Sequence, residues 1–439
     1  PKHEKPIVPE RIAPINPGPK VSRAKKIKDL TGPGHTTKFH MEGTDLGVCT
    51  RTPSGRILSV FGDTFRFAKV GSEDWRAPVA LFSDTKNLDE GLVWHEAAGG
   101  DSGYARQLWP YPHNNPEFST VLPTDIITLG DTIYLHCMVN KGLGNVVWTE
   151  FHKSTDDGHT WSHGLGRIPG NWRNGLAQVW TMTQGPDGWV YVLSTSFRRK
   201  DPIILQRVRP EHIADYKQYE GWGYKPGTGW AWGNEPTPVL DRGDSGTAFG
   251  EMSLRYMQGQ YVLVTFDAGG YDIDVRVFAN ITDNLYEAKK STPIRGGQWG
   301  MEGDDRVAQL YGPSIIPGST LDGGFHIVVS QWNTATGWPY RSLQFKIPVD
   351  PVVPPTTSGN WVPPEQPKPR PDETVVIPPV PVGDTQSIPV VSTGDIPGTV
   401  GEAHIPPAGP PTTPASSPEG KHRKPSLWDR ILAYFGFRR

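Results

Sequence analysis

Between residues 36 and 350, apolar and polar positions alternate with the two-residue period of half-buried strands, and the runs come in pairs divided by short turn sequences. The first pair spans 43–65. There, β-rich runs flank Thr52-Pro53-Ser54-Gly55, in which the proline presets a turn and the glycine suits the left-handed position of a three-residue loop. Four further pairs follow: Thr124 to Val139 around Gly130-Asp131, Trp180 to Ser196 around Gly185-Pro186-Asp187-Gly188, Ser253 to Phe266 around Gln258-Gly259, and Pro313 to Trp332 around a longer turn ending Asp322-Gly323-Gly324. Each of the four is followed by another strand-like run: Val146 to His152, Ile203 to Val208, Val275 to Ala279 and Ser342 to Ile347. Five such units, with about four strands each, predict an all-β five-bladed β-propeller.

The pattern breaks at both ends. Residues 1–35 are rich in proline and lysine, with Lys20, Arg23, Lys25, Lys26 and Lys28 close together, and read as an extended arm, either disordered or laid along a neighbouring subunit. Residues 351–424 carry proline at high density and read as a semi-rigid, largely disordered linker. In 425–439, Leu427, Trp428, Ile431, Leu432 and Phe435 recur at helical spacing behind Pro425-Ser426, flanked by Lys421, Arg423, Lys424, Arg438 and Arg439. This predicts a short amphipathic helix that docks into a partner groove or lies on an anionic surface.

Composition narrows the chemistry. The 439 residues include 50 Gly, 45 Pro and 16 Trp, which suits a turn-rich β protein with aromatic side chains for sugar stacking. A formal charge of -2 gives no footing for a nucleic-acid partner. Two cysteines, Cys49 and Cys137, make no disulfide framework and read as buried thiols. No apolar run is long enough for a transmembrane segment. Ser154-Thr155-Asp156-Asp157-Gly158-His159-Thr160-Trp161 fits the Asp-box pattern of sialidase-like propellers, a turn between outer strands, so Asp156 and Asp157 read as structural.

The chemistry gathers on the first hairpin. With Pro53, Ser54 and Gly55 as its loop, Thr52 faces Arg56, and continuing the count brings Asp45 opposite Asp63. Taken singly, each aspartate fits a strand-end cap. Like charges across a strand pair are destabilising, however, and a glycosidase needs two carboxyls, one protonated and one ionised. Counting back equally from the other turns reaches Gln178, Glu251 and Tyr311, and less cleanly Asp125; inner-strand ends converge on a propeller's axis, so these are expected to rim one funnel. Glu251 is the strongest third carboxylate, and Arg255 lies on the same strand face. His40, Trp180 and Trp332 complete the candidate substrate contacts, although any single tryptophan here could equally be inter-blade packing. No phosphate loop, nucleophile elbow or close metal-binding spacing occurs, so neither cofactor nor metal is expected.

Gly43-Thr44-Asp45-Leu46-Gly47 and Phe61-Gly62-Asp63-Thr64-Phe65, preceded by Leu30-Thr31-Gly32-Pro33-Gly34, resemble a family long catalogued as a domain of unknown function. Its members look like five-bladed propellers and include endo-D-arabinofuranases acting on mycobacterial cell-wall arabinan. The resemblance covers residues 30 to 348 and implies catalytic aspartates at Asp45 and Asp63, hydrolysis of α-linked D-arabinofuranose in arabinogalactan or lipoarabinomannan, and an inverting mechanism. Inversion requires carboxyls about 6.5 to 9.5 Å apart, which direct opposition would undershoot. Asp45 is assigned as base and Asp63 as acid; the reverse stays open, with Glu251 able to serve as either. Similar proteins occur as minor tail proteins of phages of those bacteria, which implies cell-wall polysaccharide and other virion tail subunits as partners and the virion tail as location. A secreted bacterial enzyme stays open beside it. Two further readings compete with the glycosidase: a receptor-binding tail propeller that holds glycan without cleaving it, and a spacer whose terminal helix is the functional part.

Overall fold

The computed structural model describes residues 18–243 and 247–350; the first part of the arm, the linker 351–424 and the helix 425–439 lie outside the described residues. Five sheets, antiparallel except for one parallel pair at the outer edge of the fourth, surround one axis, with innermost strands Leu46–Arg51, Thr120–Leu129, Val179–Gln184, Phe249–Met257 and Leu310–Ile315. These five strands contact one another in a closed ring, which makes the molecule the five-bladed all-β propeller that the pattern predicts. Small hydroxyls stitch the ring together. Leu254 donates its N–H to Thr181 Oγ1 at 2.7 Å, Ile315 to Ser253 Oγ at 2.9 Å, and Cys49 to Ser314 Oγ at 3.3 Å. Apolar cores fill the gaps between neighbouring blades, for example Val48, Leu58 and Phe82 against Val121, Ile133 and Val139.

The fifth blade corrects the boundary of the arm. Lys25–Asp29 pairs antiparallel with Tyr340–Ile347 as that blade's outermost strand, so a strand that precedes the first blade and the third strand of the fifth close the ring together. A lysine-rich run of this kind is typical of a sheet edge, where charge discourages further pairing. Arg341 anchors the strand through Asp29 at 2.9 Å.

The Asp box forms the turn between the third and fourth strands of the second blade, Val146–Ser154 and Ser162–Pro169. Asp156 accepts from the Thr160 N–H at 2.9 Å and from the Ser154 hydroxyl at 2.7 Å, while Asp157 accepts from the Ser54 N–H at 2.8 Å. The second contact fastens the second blade to the first hairpin's turn, so both aspartates are structural.

At the mouth of the inner hairpins the ladder is irregular in four blades, with shifts at Leu46/Val48, Pro123/Asp125, Phe249/Met252 and Tyr311/Ser314. The third blade runs in unbroken register from Val179 to Gln184. A bulge re-aims side chains at a strand end, and these shifts decide which residues reach the funnel.

Candidate active site

The first hairpin keeps its expected register near the turn, where the Thr52 N–H donates to the Arg56 carbonyl at 2.8 Å. Gly47, at φ +111, then inserts one extra residue, and Asp45 comes to face Gly62, whose N–H donates to the Asp45 carbonyl at 3.0 Å. One extra residue on the opposite strand restores the register at Gly43 and Phe65. The two aspartates therefore sit between two compensating irregularities and do not face each other directly. This corrects the expected opposition while keeping both carboxyls at one mouth.

That mouth is a funnel enclosing about 620 Å³ of solvent-connected space. Asp45, Asp63, Glu251, Tyr311 and Tyr340 line one side; Leu122, Pro123, Met138, Leu143, Val179 and Phe197 line the wall from the second and third blades. Trp332, Phe65, Leu46, Val70 and Thr124 complete it.

Asp45 accepts from the Tyr311 hydroxyl at 2.7 Å, and its other oxygen packs against Gly62, where a Cβ would stand only 2.5 Å away. Burial pushes its pKa up to about 7, helped by the charge of Asp63, and the tyrosine hydroxyls only partly oppose this. Asp63 is also raised by burial, but a single oxygen accepts from both the Trp75 indole N–H and the Thr120 hydroxyl, each at 2.7 Å, and His113 lies close enough to favour the ionised form. Burial therefore raises both carboxyls, and at Asp63 two hydrogen-bond donors and His113 work against that rise.

Glu251 is held by Arg199 at 2.7 Å, and the Arg199 guanidinium also lies over the Tyr311 ring at 5.5 Å to the ring centre. Glu251, Arg199, Tyr311 and Asp45 therefore form one connected chain along the carboxylate side. Arg199 is fully buried, in the left-handed region at φ +56, and is a residue that sequence reasoning missed; no turn count points to it. Trp75, Thr120, Tyr340 and His113 were missed for the same reason: they arrive from connections or from neighbouring blades.

Several expected contacts lie elsewhere. Asp125 is buried and takes both guanidinium arms of Arg255 at 2.8 and 2.9 Å, together with the Thr181 hydroxyl and the Met182 and Ile126 N–H groups. Every oxygen of Asp125 is committed to this packing, and neither Asp125 nor Arg255 lines the funnel. Glu251 pairs with Arg199 and not with Arg255, because four residues of extended strand hold the two roughly 13 Å apart along the backbone. In the unshifted third blade, Val179 and not Gln178 reaches the funnel; Gln178 spends its amide on the Gly170 carbonyl and the Phe197 N–H. Trp180 is core, stacked 4.0 Å from His136 and donating to the Ala177 carbonyl. His40 is exposed beside Arg66, outside the lining. Tyr311, Trp332 and Glu251 do line the funnel beside the aspartates.

A trio of carboxylates, Asp267, Asp272 and Asp274, brings ligand-capable oxygens within 4.8 Å of one another on the fourth blade. Arg242 meets Asp267 at 2.5 Å and Lys290 meets Asp274 at 3.5 Å, so the trio's charge is already countered by side chains. Among the described residues no helix is long and apolar enough to cross a membrane.

Residues 31–346 match the family described as "Domain of unknown function (DUF4185)". An uncharacterized 35.9 kDa protein from Mycolicibacterium smegmatis is 29% identical over 351 residues, covering 73% of this chain and 97% of that protein. Notoamide biosynthesis cluster protein J' from Aspergillus versicolor is 29% identical over 328 residues, covering 68% and 83%. Similar solved structures include a GH43 endo-arabinanase from Bacillus licheniformis, at TM-score 0.45 and 13% identity over 72% of this chain and 96% of that one. A native arabinanase from Bacillus subtilis gives TM-score 0.43 and 16% identity over 70% and 96%.

Proposed function

We propose that this chain, which belongs to the DUF4185 family, is a glycoside hydrolase that cleaves α-linked D-arabinofuranose in mycobacterial cell-wall arabinan and serves in a phage tail during adsorption or entry. The observation that carries the hydrolase reading is the pair Asp45 and Asp63: two buried carboxyls at one mouth, the charge of Asp63 helping to raise Asp45 while two hydrogen-bond donors and His113 oppose the rise at Asp63. Asp45, with its pKa near 7, is the proton donor to the departing glycosidic oxygen. Asp63, fed by two hydrogen-bond donors, is the base that takes a proton from the attacking water. This assigns the roles in the reverse of the order first expected. The register shift moves the carboxyls out of direct opposition, in the direction that inversion requires. The arabinan substrate and the tail location rest on the motif resemblance, and the similar protein from Mycolicibacterium smegmatis supports a mycobacterial setting.

The apolar wall of the second and third blades favours one second reading, a funnel that holds a ligand by its apolar face without cleaving it. The relatives named for notoamide biosynthesis clusters are compatible with ligands other than cell-wall polymer. Incubation with mycobacterial arabinogalactan and chromatography of the soluble products separates the two. Release of arabino-oligosaccharides by the intact chain, falling by roughly a hundredfold or more in Asp45→Asn and Asp63→Asn, is the expected result. Binding of the polymer with no release establishes the second reading in its place.

A further inference from the structure

Asp63 owes its two hydrogen bonds to segments that are far apart in sequence. Trp75 belongs to the connection between the second and third strands of the first blade, and Thr120 opens the inner strand of the second. One side chain joins them. His113 points Nε2 at the Trp75 carbonyl at 3.0 Å and Nδ1 at the Ser119 carbonyl at 2.7 Å, and its ring lies 3.8 Å from the Trp75 indole, nearly parallel at 13°. Carbonyl oxygens only accept, so each contact needs an N–H from the imidazole. Neutral imidazole carries one N–H, and the imidazolium carries two.

We propose that His113 is a positioning residue for Asp63, a clasp whose imidazolium form holds both donor-bearing segments and whose neutral form releases one of them. The proposal rests on the hydrolase reading only for its catalytic consequence. When the imidazolium is present, the Trp75 indole and the Thr120 hydroxyl are both fixed on Asp63, and a positive charge stands behind the carboxylate. When the proton leaves, one carbonyl loses its donor, its segment loosens, and the carboxylate loses both that charge and the fixed geometry of one hydrogen bond.

The groups around the clasp leave Asp63 as the charge that acts on it. Tyr111, on the same connection, stands edge-on at 5.2 Å, and Cys137 approaches from the second blade's second strand. Burial pushes the pKa of both upward, so both stay neutral. For His113 itself burial wins and lowers the pKa, while the two carbonyls and Asp63 act upward against it. Asp45 stands beyond Asp63 and couples to the clasp through it. The imidazole and Asp63 accordingly titrate as a linked pair.

The test combines ring-nitrogen NMR of histidine-labelled protein with pH profiles. In the intact chain, both nitrogens of His113 are expected to be protonated together on the acid side of its titration, and Asp63→Asn is expected to lower its pKa by about half a unit or more, since the favourable charge is gone. For hydrolysis of arabinogalactan, His113→Gln, which cannot donate to both carbonyls, is expected to move the acid limb of kcat/KM upward by about half to one pH unit and to lower kcat more than it raises KM. A limb that stays in place, with a His113 titration indifferent to Asp63→Asn, overturns the clasp. An intact chain that hydrolyses nothing while His113 and Asp63 titrate together ends the hydrolase reading and leaves the clasp standing. The titrations in the intact chain and in Asp63→Asn decide the matter even if His113→Gln fails to fold.

Discussion

At the scale of single residues, the site places catalytic need against stability. A folded aspartate with its pKa raised to about 7, against an ordinary 3.8, keeps a proton that the unfolded chain has already released. Stability must then fall as pH rises from about 4 to about 7, and the whole penalty remains above that window. Asp45→Asn removes the titration, so at about pH 8 the variant is expected to be more stable than the intact chain by up to roughly 4 kcal/mol, with the difference vanishing below about pH 4. Thermal melts of both proteins across that range check it; a variant no more stable at high pH shows that Asp45 titrates as an ordinary surface carboxylate. The aspartates themselves were legible because two carboxylates flanking a recognisable turn are countable along the chain. Arg199 and His113 were not, because their roles depend on which connection lies over which strand.

At the scale of the hairpin, five turn sequences were enough to place five inner strand pairs, since turn residues act locally. Register at the mouth was another matter. The extra residue at Gly47 depends on tertiary partners: the Leu46 N–H donates to Ser330 Oγ at 2.8 Å and the Ser342 hydroxyl donates to the Leu46 carbonyl at 2.8 Å, both in the fifth blade. Equal counting from the turns succeeded for Glu251 and Tyr311 and failed for Gln178 and Asp125, because the bulges differ from blade to blade. The paired irregularities make a sharp prediction at Gly62. Its backbone does not need glycine's left-handed freedom, but a Cβ there would press on Asp45 Oδ1. On the proposed hydrolase reading, Gly62→Ala is expected to displace that carboxyl and lower arabinan hydrolysis by about tenfold or more, with a change in unfolding free energy of about 1 kcal/mol. Full activity in Gly62→Ala would mean that Asp45 does not work from the position seen against Gly62.

At the scale of the whole molecule, Arg255 explains why an apparent substrate contact is a structural one. It rises from the fourth blade's inner strand, donates to Asp125 in the second, to the Met182 carbonyl in the third at 3.1 Å and to the Cys49 carbonyl in the first at 3.2 Å. A single guanidinium thereby ties four inner strands around the axis, while the lysine-rich edge strand closes the fifth blade from outside. Breaking a buried pair from one side strands a charge, so Arg255→Met is expected to cost about 3 to 5 kcal/mol in urea unfolding, whereas Arg255→Met combined with Asp125→Leu should recover part of that loss. Because neither residue lines the funnel, the folded fraction of either variant should, on the proposed hydrolase reading, keep its KM for arabinan within about twofold. The double variant carries the decision: a KM that rises many-fold in protein that is demonstrably folded would return Asp125 and Arg255 to the substrate. Recovered stability at unchanged KM would fix their place as the axle on which the blade that carries Asp45 and Asp63 is held in register with its neighbours.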